Sequence, residues 1–266
     1  MTPRHVLVLA DGPVDEIEAI DEAWPGWSEG IDHVIAADGG ARHAAGLRRT
    51  IDHWLGDADS IDPSLLATLQ AEGVRVDRAP VDKDETDAEL ALIAAAATGS
   101  RRITILGALG GSRLDHELGN VWLLAHAALA DRDARLVSAR TRIRLATAAG
   151  RGSAGPTGTA APTGSPGSAG PTGTAAPPGT PGSAASPRRS GPIDVGGRMG
   201  DLVSLLPFGG DAEGITTDGL RYPLRDESLR LGPSRGLSNV REAEDATVTL
   251  RSGRLLVVET PARLPE

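Results

Sequence analysis

The 266-residue chain contains no cysteine. That excludes disulfide staples and thiolate zinc sites and says nothing either way about compartment. No run approaches the ~18 consecutive apolar residues a membrane-spanning helix needs. Aromatics are scarce, with four Trp, one Tyr and one Phe, which argues against a stacking platform for single-stranded nucleic acid. Basic residues are outnumbered, 27 Lys+Arg against 36 Asp+Glu, for a formal net charge of −9. This balance disfavours a protein that grips a phosphate backbone regardless of sequence. Neither G-x-G-x-x-G nor G-K-[ST] occurs, so the dinucleotide fingerprint and the Walker A loop are both missing. The opening segment MTPRHVLVLADGPVDE meets acidic residues too early for a secretory signal. The expectation is a soluble, acidic, cytoplasmic protein that binds neither membrane nor nucleic acid.

What is present divides into two patterns. Up to about residue 131, short apolar runs alternate with helical stretches. Strands are expected at Val6–Ala10, His33–Ala37, Trp54–Leu55, Val74–Val76 and Ile103–Leu106. Helices are expected at Val14–Glu22, from about Ala41, at Pro63–Glu72 behind an Asp62 cap, at Thr86–Ala97 and at Leu114–Ala130. Such alternation implies a mainly parallel sheet with helices on both faces. Beyond it, Arg135–Ser138, Ile143–Ala146, Leu202–Leu206, Thr247–Leu250 and Leu255–Glu259 read as short strands separated by turns, with Ser252-Gly253 as a hairpin turn between the last two. The expected fold is therefore α/β over residues 1–133, followed by a small all-β sandwich over 134–266.

Within the second part, Gly152–Pro187 is a 36-residue stretch of Gly, Ser, Ala, Pro and Thr only, and it carries the 11-mer GSAGPTGTAAP twice. It has no charge and no large apolar side chain, so it cannot offset its ordering entropy and is expected to be a disordered loop insertion. Loop closure grows only slowly with length, and the fold should tolerate it.

Four acidic or glycine-rich clusters fall where strands of the first part end: Asp38-Gly39-Gly40, Gly56-Asp57-Ala58-Asp59-Ser60, Asp82-Lys83-Asp84-Glu85-Thr86-Asp87, and Gly110-Gly111-Ser112-Arg113-Leu114-Asp115-His116. In an open α/β sheet, ligands bind beyond the carboxyl ends of the strands, so the four segments would converge on one edge. Carboxylates two apart, such as Asp57 and Asp59, can face a hard cation from a tight turn, and magnesium takes oxygen ligands while keeping substrate phosphates in its shell. Singly, Asp57-Ala58-Asp59 is also an ordinary turn, and Asp82–Asp87 an ordinary helix cap. Together, mutually repelling carboxylates on one edge point to a cation. Gly110-Gly111-Ser112-Arg113 ahead of a helix offers N–H groups and a guanidinium to a phosphate. These residues alone lead to a magnesium-dependent phosphate-transfer enzyme.

In order, the same motifs resemble those of the thiamine pyrophosphokinase family: an ADGG turn, GD-x-DS, D-x-D-x-TD, and R-x-D-H with Asn120. The later segments Val203–Pro207, Gly214–Thr217, Gly219–Leu224 and Leu237-Ser238-Asn239 match as well. The resemblance implies a catalytic nucleotide-binding α/β domain and a thiamine-binding β domain, assembled as a homodimer with active sites between subunits. It implies transfer of pyrophosphate from ATP to the hydroxyethyl group of thiamine, giving thiamine diphosphate and AMP. By the same carry-over Asp57, Asp59 and Asp87 would hold Mg2+, and with Arg113 they would carry catalysis. Asp38, Asp84 and Asp115 would bind substrate, with Tyr222 stacking on thiamine and Ser238 and Asn239 reaching in from the β domain. Asp57 or Asp59 would accept the hydroxyl proton. Three departures stand out: Ser112 separates Gly111 from Arg113, Val240 follows Asn239 where an acid is common, and the 36-residue insertion falls between two β strands. A pyrophosphokinase for another alcohol, such as a hydroxymethylpterin, would lack the signatures around Tyr222 and Ser238-Asn239. A non-catalytic binding module would lose the metal carboxylates first, and all are present.

Overall fold

The structure, a computed structural model, describes residues 2–148 and 192–264. The low-complexity stretch 152–187 lies outside the described residues. Five consecutive buried residues make β1 (His5–Leu9), the signature of a strand covered on both faces. There follow α1 (Ile17–Ala23), β2 (Ile31–Ala37), β3 (His53–Gly56), α2 (Pro63–Ala71), β4 (Arg75–Arg78), α3 (Asp87–Ala97), β5 (Arg102–Leu106), α4 (Leu114–Leu123) and β6 (Asp133–Val137). The later strands are β7 (Arg142–Thr147), β8 (Ile193–Asp194), β9 (Leu202–Pro207), β10 (Ala212–Asp218), β11 (Glu227–Leu229), β12 (Asn239–Val240), β13 (Thr247–Thr249) and β14 (Arg254–Thr260). Among the described residues no helix is long and apolar enough to cross a membrane.

The first six strands lie in the order β4-β3-β2-β1-β5-β6, all parallel. One face is packed by α1 and α2 through Ile20, Trp24, Leu66 and Leu69. The other face is packed by α3 and α4 through Ala91, Leu92, Ala95 and Val121. This is the doubly wound arrangement that the strand–helix alternation predicts. The chain leaves β1 in one direction and returns, through α3, to lay β5 on its other side. Loops after β1, β2, β3 and β5 therefore share one edge of the sheet.

The sheet does not stop at β6. It continues without a break through antiparallel β7, β14, β9 and β12, giving ten strands in the order β12-β9-β14-β7-β6-β5-β1-β2-β3-β4. A second sheet, β11-β10-β13-β8, packs on this extension, and Ala146, Leu205, Leu255 and Val257 meet Ala212, Ile215, Leu229 and Val248 between them. That is the predicted sandwich, built by borrowing one of its layers from the α/β sheet. At the seam Arg142 makes a buried two-pronged pair with Glu259, at 2.7 and 2.9 Å, and stacks its guanidinium 4.4 Å from the Trp24 ring centroid.

Three local expectations are corrected. The helix expected over Leu114–Ala130 ends at Leu123: His126 adopts an extended conformation and its imidazole accepts from the Ala128 N–H, starting a separate 3-10 turn at Ala127–Leu129. The helix expected from Ala41 is instead a 3-10 segment beginning at Asp38. Ser252-Gly253 does not close a hairpin, because β13 pairs with β10 and β8 while β14 pairs with β7 and β9. The turn carries the chain from one layer to the other, so that Val248 and Leu255 face the same core from opposite sides.

Candidate active site

The carboxyl ends of β2 and β3 bring the first two acidic motifs together. Asp38 follows β2 directly with a left-handed backbone (φ 41°), a conformation Asp tolerates better than most residues. Trp54 of β3, itself fully buried, donates its indole N–H to the Asp38 carbonyl at 3.0 Å. Gly56 is required beside it, since a Cβ there would sit 2.7 Å from the Asp38 Cβ. Gly40 likewise leaves no room for a side chain against the Leu9 carbonyl at the end of β1. The glycines of both motifs are thus the means by which neighbouring strand ends approach closely.

The Asp38 carboxyl is buried. Its Oδ2 accepts the Ser60 N–H at 2.9 Å, and its Oδ1 is buried without a hydrogen-bond partner. The turn after β3 presents two more carboxylates. Asp57 Oδ1 accepts the Asp59 N–H at 3.1 Å, Ala58 between them takes a left-handed backbone (φ 70°), and Asp59 Oδ1 accepts the Ser60 hydroxyl at 2.7 Å. Asp38, Asp57 and Asp59 each offer an oxygen within 4.8 Å of the others. Burial raises the Asp38 pKa, with the adjoining Asp59 and Asp87 charges adding to it and the Ser60 N–H partly offsetting it. Asp59 is lowered, first by the Ser60 hydroxyl and then by the adjoining Asp38 carboxyl.

The third motif arrives from the far side of the sheet edge. Thr86 caps α3, its hydroxyl accepting the Glu89 N–H at 3.1 Å, which places Asp87 in the first turn, where a carboxylate is favoured by the helix dipole. Asp87 does not join the three-oxygen group directly. Lys83 stands between, its Nζ 3.2 Å from Asp57 Oδ2 and 3.0 Å from Asp87 Oδ1. The Lys83 side chain is only 11% exposed and that of Asp57 9%. Burial raises the Asp87 pKa, and Lys83 partly offsets this. Burial alone would lower the Lys83 ammonium, but its two carboxylate partners outweigh that and raise it. Asp84 is exposed in the turn before α3.

The fourth motif lies on the same edge, after β5. Gly110 and Gly111 both have left-handed backbones (φ 77° and 107°), and Arg113 is the residue before α4. Arg113 and Asp115 are exposed and bind each other in a fork, Nε to Oδ1 at 3.2 Å and Nη2 to Oδ2 at 2.6 Å. That pair raises the Arg113 pKa and lowers that of Asp115.

Tyr222, Ser238 and Asn239 lie elsewhere. Asn239 opens β12, one end of the ten-stranded sheet, whereas Asp57 follows β3 near the other. Eight strand spacings separate them, about 35–40 Å at ~4.8 Å each. The two groups cannot meet within one chain. Tyr222 is 64% exposed. Buried Asn239 donates to the Tyr222 carbonyl at 2.8 Å and accepts its N–H at 3.0 Å, so its amide is spent on holding that backbone. Ser238 is exposed with φ 56°, and its N–H donates to the Ser204 hydroxyl at 3.0 Å. Asn239→Ala is expected to destabilise the fold by about 2–3 kcal/mol, since three backbone groups, the Tyr222 N–H and carbonyl and the Val240 N–H, lose their partner; a denaturant titration with an unchanged midpoint would contradict this.

The sequence reading names neither Lys83 as a site residue nor Asp38 as part of the oxygen cluster.

Two family models match the chain. "Thiamin pyrophosphokinase, catalytic domain" covers residues 27–137, and "Thiamin pyrophosphokinase, vitamin B1 binding domain" covers 192–255. Among solved structures, the thiamine pyrophosphokinase of Bacillus subtilis aligns with a TM-score of 0.70 at 22% identity, over 97% of this chain and 99% of its own. The enzyme from Geobacillus thermodenitrificans aligns at 0.66 and 22%, over 96% of each chain. The yeast enzyme aligns at 0.64 and 12%, over 98% of this chain and 88% of its own. At these identities they establish the shared fold. No curated protein sequence matches significantly.

Proposed function

The chain belongs to the thiamin pyrophosphokinase family and is an enzyme that pyrophosphorylates thiamine, and we propose that ATP is the donor, Mg2+ the cofactor and AMP the second product. The observation that carries the cation is the buried, unpartnered Asp38 Oδ1 beside Asp57 and Asp59. A buried carboxylate oxygen without a donor is costly, and three carboxylates that each offer an oxygen within 4.8 Å of the others suit a hard divalent ion. Asp38, Asp57 and Asp59 would hold it, with Asp87 close by. When bound, the ion would neutralise phosphate charge and orient the transferred group.

The chain's own residues supply the rest. Asp59 is the more exposed of the two candidate bases, so it can take the proton from the thiamine hydroxyl as that oxygen attacks the β-phosphorus and the bond to the departing AMP breaks. Arg113, on the same edge, can exchange Asp115 for a phosphate oxygen, since both side chains are exposed. Asp115 and Asp84 remain to face the cationic thiazolium ring. Tyr222 and Ser238 would serve a site on another copy, a reading the 35–40 Å separation within one chain supports, and a homodimer is the simplest closed assembly that allows it.

The test is incubation of pure protein with ATP, Mg2+ and thiamine, followed by chromatography. The expected result is AMP and thiamine diphosphate in equal amounts, abolished by a chelator. ADP with thiamine monophosphate would overturn the reaction type. No product from folded protein would move the assignment to another acceptor alcohol or to a binding role.

A further inference from the structure

The cluster holds four carboxylates, Asp38, Asp57, Asp59 and Asp87, and one cation of its own. Lys83 approaches it from the turn before α3 and contacts two of them, Asp57 Oδ2 at 3.2 Å and Asp87 Oδ1 at 3.0 Å. Its side chain is 11% exposed, so the ammonium does not sample bulk water as a surface lysine does. Asp57 is thus claimed twice: by Lys83, and by the three-oxygen group with Asp38 and Asp59. One carboxylate cannot give full charge to both.

Resting on the metal assignment above, we propose that Lys83 is a positioning residue that competes with the divalent ion for Asp57 and, where the ion takes that carboxylate, turns onto phosphate oxygens. Three considerations support this. An ammonium and a divalent ion near one carboxylate repel each other strongly at low effective dielectric. Magnesium brings substrate phosphates in its shell, so the displaced ammonium, tethered by a largely buried stem, finds new oxygens within its reach. Lysine suits this exchange better than arginine, because its compact charge and rotatable donors impose no planar fork geometry on the partner.

The competition gives Lys83 an unusual signature. A residue that merely clamps the turn to β3 should weaken both folding and cation binding when removed. A competitor should strengthen cation binding while turnover falls. The experiment compares full-length wild type with Lys83→Met and Lys83→Gln, using Mn2+ as the probe and electron paramagnetic resonance to count free ion, without nucleotide. Thermal unfolding and circular dichroism on the same samples establish that each variant folds. Either folded variant should bind Mn2+ about tenfold tighter than wild type, and its kcat should fall by about a hundredfold with little change in thiamine KM. Mn2+ binding that is unchanged or weaker in the folded variants overturns the proposal and leaves a structural clamp. If neither variant folds, the clamp reading stands instead.

The two assignments fail separately. Tighter Mn2+ binding in variants of a wild type that makes no thiamine diphosphate would keep the competition and remove the proposed reaction. An active wild type whose variants show no gain in Mn2+ affinity would keep the reaction and remove the competition.

Discussion

Asp57→Asn is expected to lower turnover by about 10²–10³-fold while leaving the melting temperature unchanged or raised. The two effects point in opposite directions because of where the carboxylate sits. Asp57 shares the oxygen group with Asp38 and Asp59 and also holds Lys83. Asparagine keeps the oxygen that accepts the Asp59 N–H, so the turn after β3 survives. What is lost is one negative charge among four. Losing it costs the Lys83 contact but relieves repulsion that already shows in the raised pKa values of Asp38 and Asp87, each raised chiefly by burial and further by neighbouring carboxylates.

The sign of that repulsion can be checked independently. A carboxyl whose folded pKa is raised contributes stability that is fully present below its unfolded value and is lost as pH rises through the folded value. In cation-free protein, Asp38 and Asp87 therefore oppose folding at neutral pH. Mg2+ should restore that stability in wild type, by about 2.7 kcal/mol at a hundredfold excess over Kd, and should do little for Asp57→Asn. Calorimetry with and without Mg2+ reads both effects. Wild-type turnover in the variant would remove Asp57 from the chemistry. A large fall in melting temperature would make its role structural.

The same cluster shows what a sequence does and does not disclose. The parallel sheet is legible because β1 and β5 are apolar runs flanked by helical periodicity, and because Gly-Asp turns mark the strand ends. The convergence of Asp38, Asp57 and Asp59 on one edge follows from that order alone. The grouping within the edge does not, because it depends on a left-handed Asp38 pressed against Gly56. Lys83 is hidden for another reason: one lysine among Asp82, Asp84, Glu85 and Asp87 reads as a solvated charge run. In the β half, β8, β10, β11 and β12 escape notice since they are short or rich in Thr, Glu and Gly, and their stability comes from the opposing layer. Nor does the pattern reveal that the α/β sheet supplies that layer. Asn239, expected to bind substrate, holds the Tyr222 backbone, a partnership 17 residues apart that no local pattern encodes.

The distance between the two halves of the site leads to the second large effect. Asp57→Asn and Tyr222→Ala should each be poorly active alone, and mixing them should restore activity. Within one chain the acidic edge and Tyr222 are separated by nearly the full width of the ten-stranded sheet, so no hinge motion that preserves the sheet can join them. If Tyr222 serves the acidic edge of a partner copy, a dimer of the two variants has one site with both lesions and one site with neither. Random exchange of equal amounts makes half the dimers mixed, each with one intact site of two, for about a quarter of wild-type activity. Tyr222→Ala suits the test because the ring is exposed and its loss should cost little folding stability. The measurement is the rate of thiamine diphosphate formation before and after the variants are co-refolded, with size-exclusion chromatography to confirm dimers. A rate that stays at the average of the two separate variants would mean that each chain works alone and that Tyr222 lies outside the site.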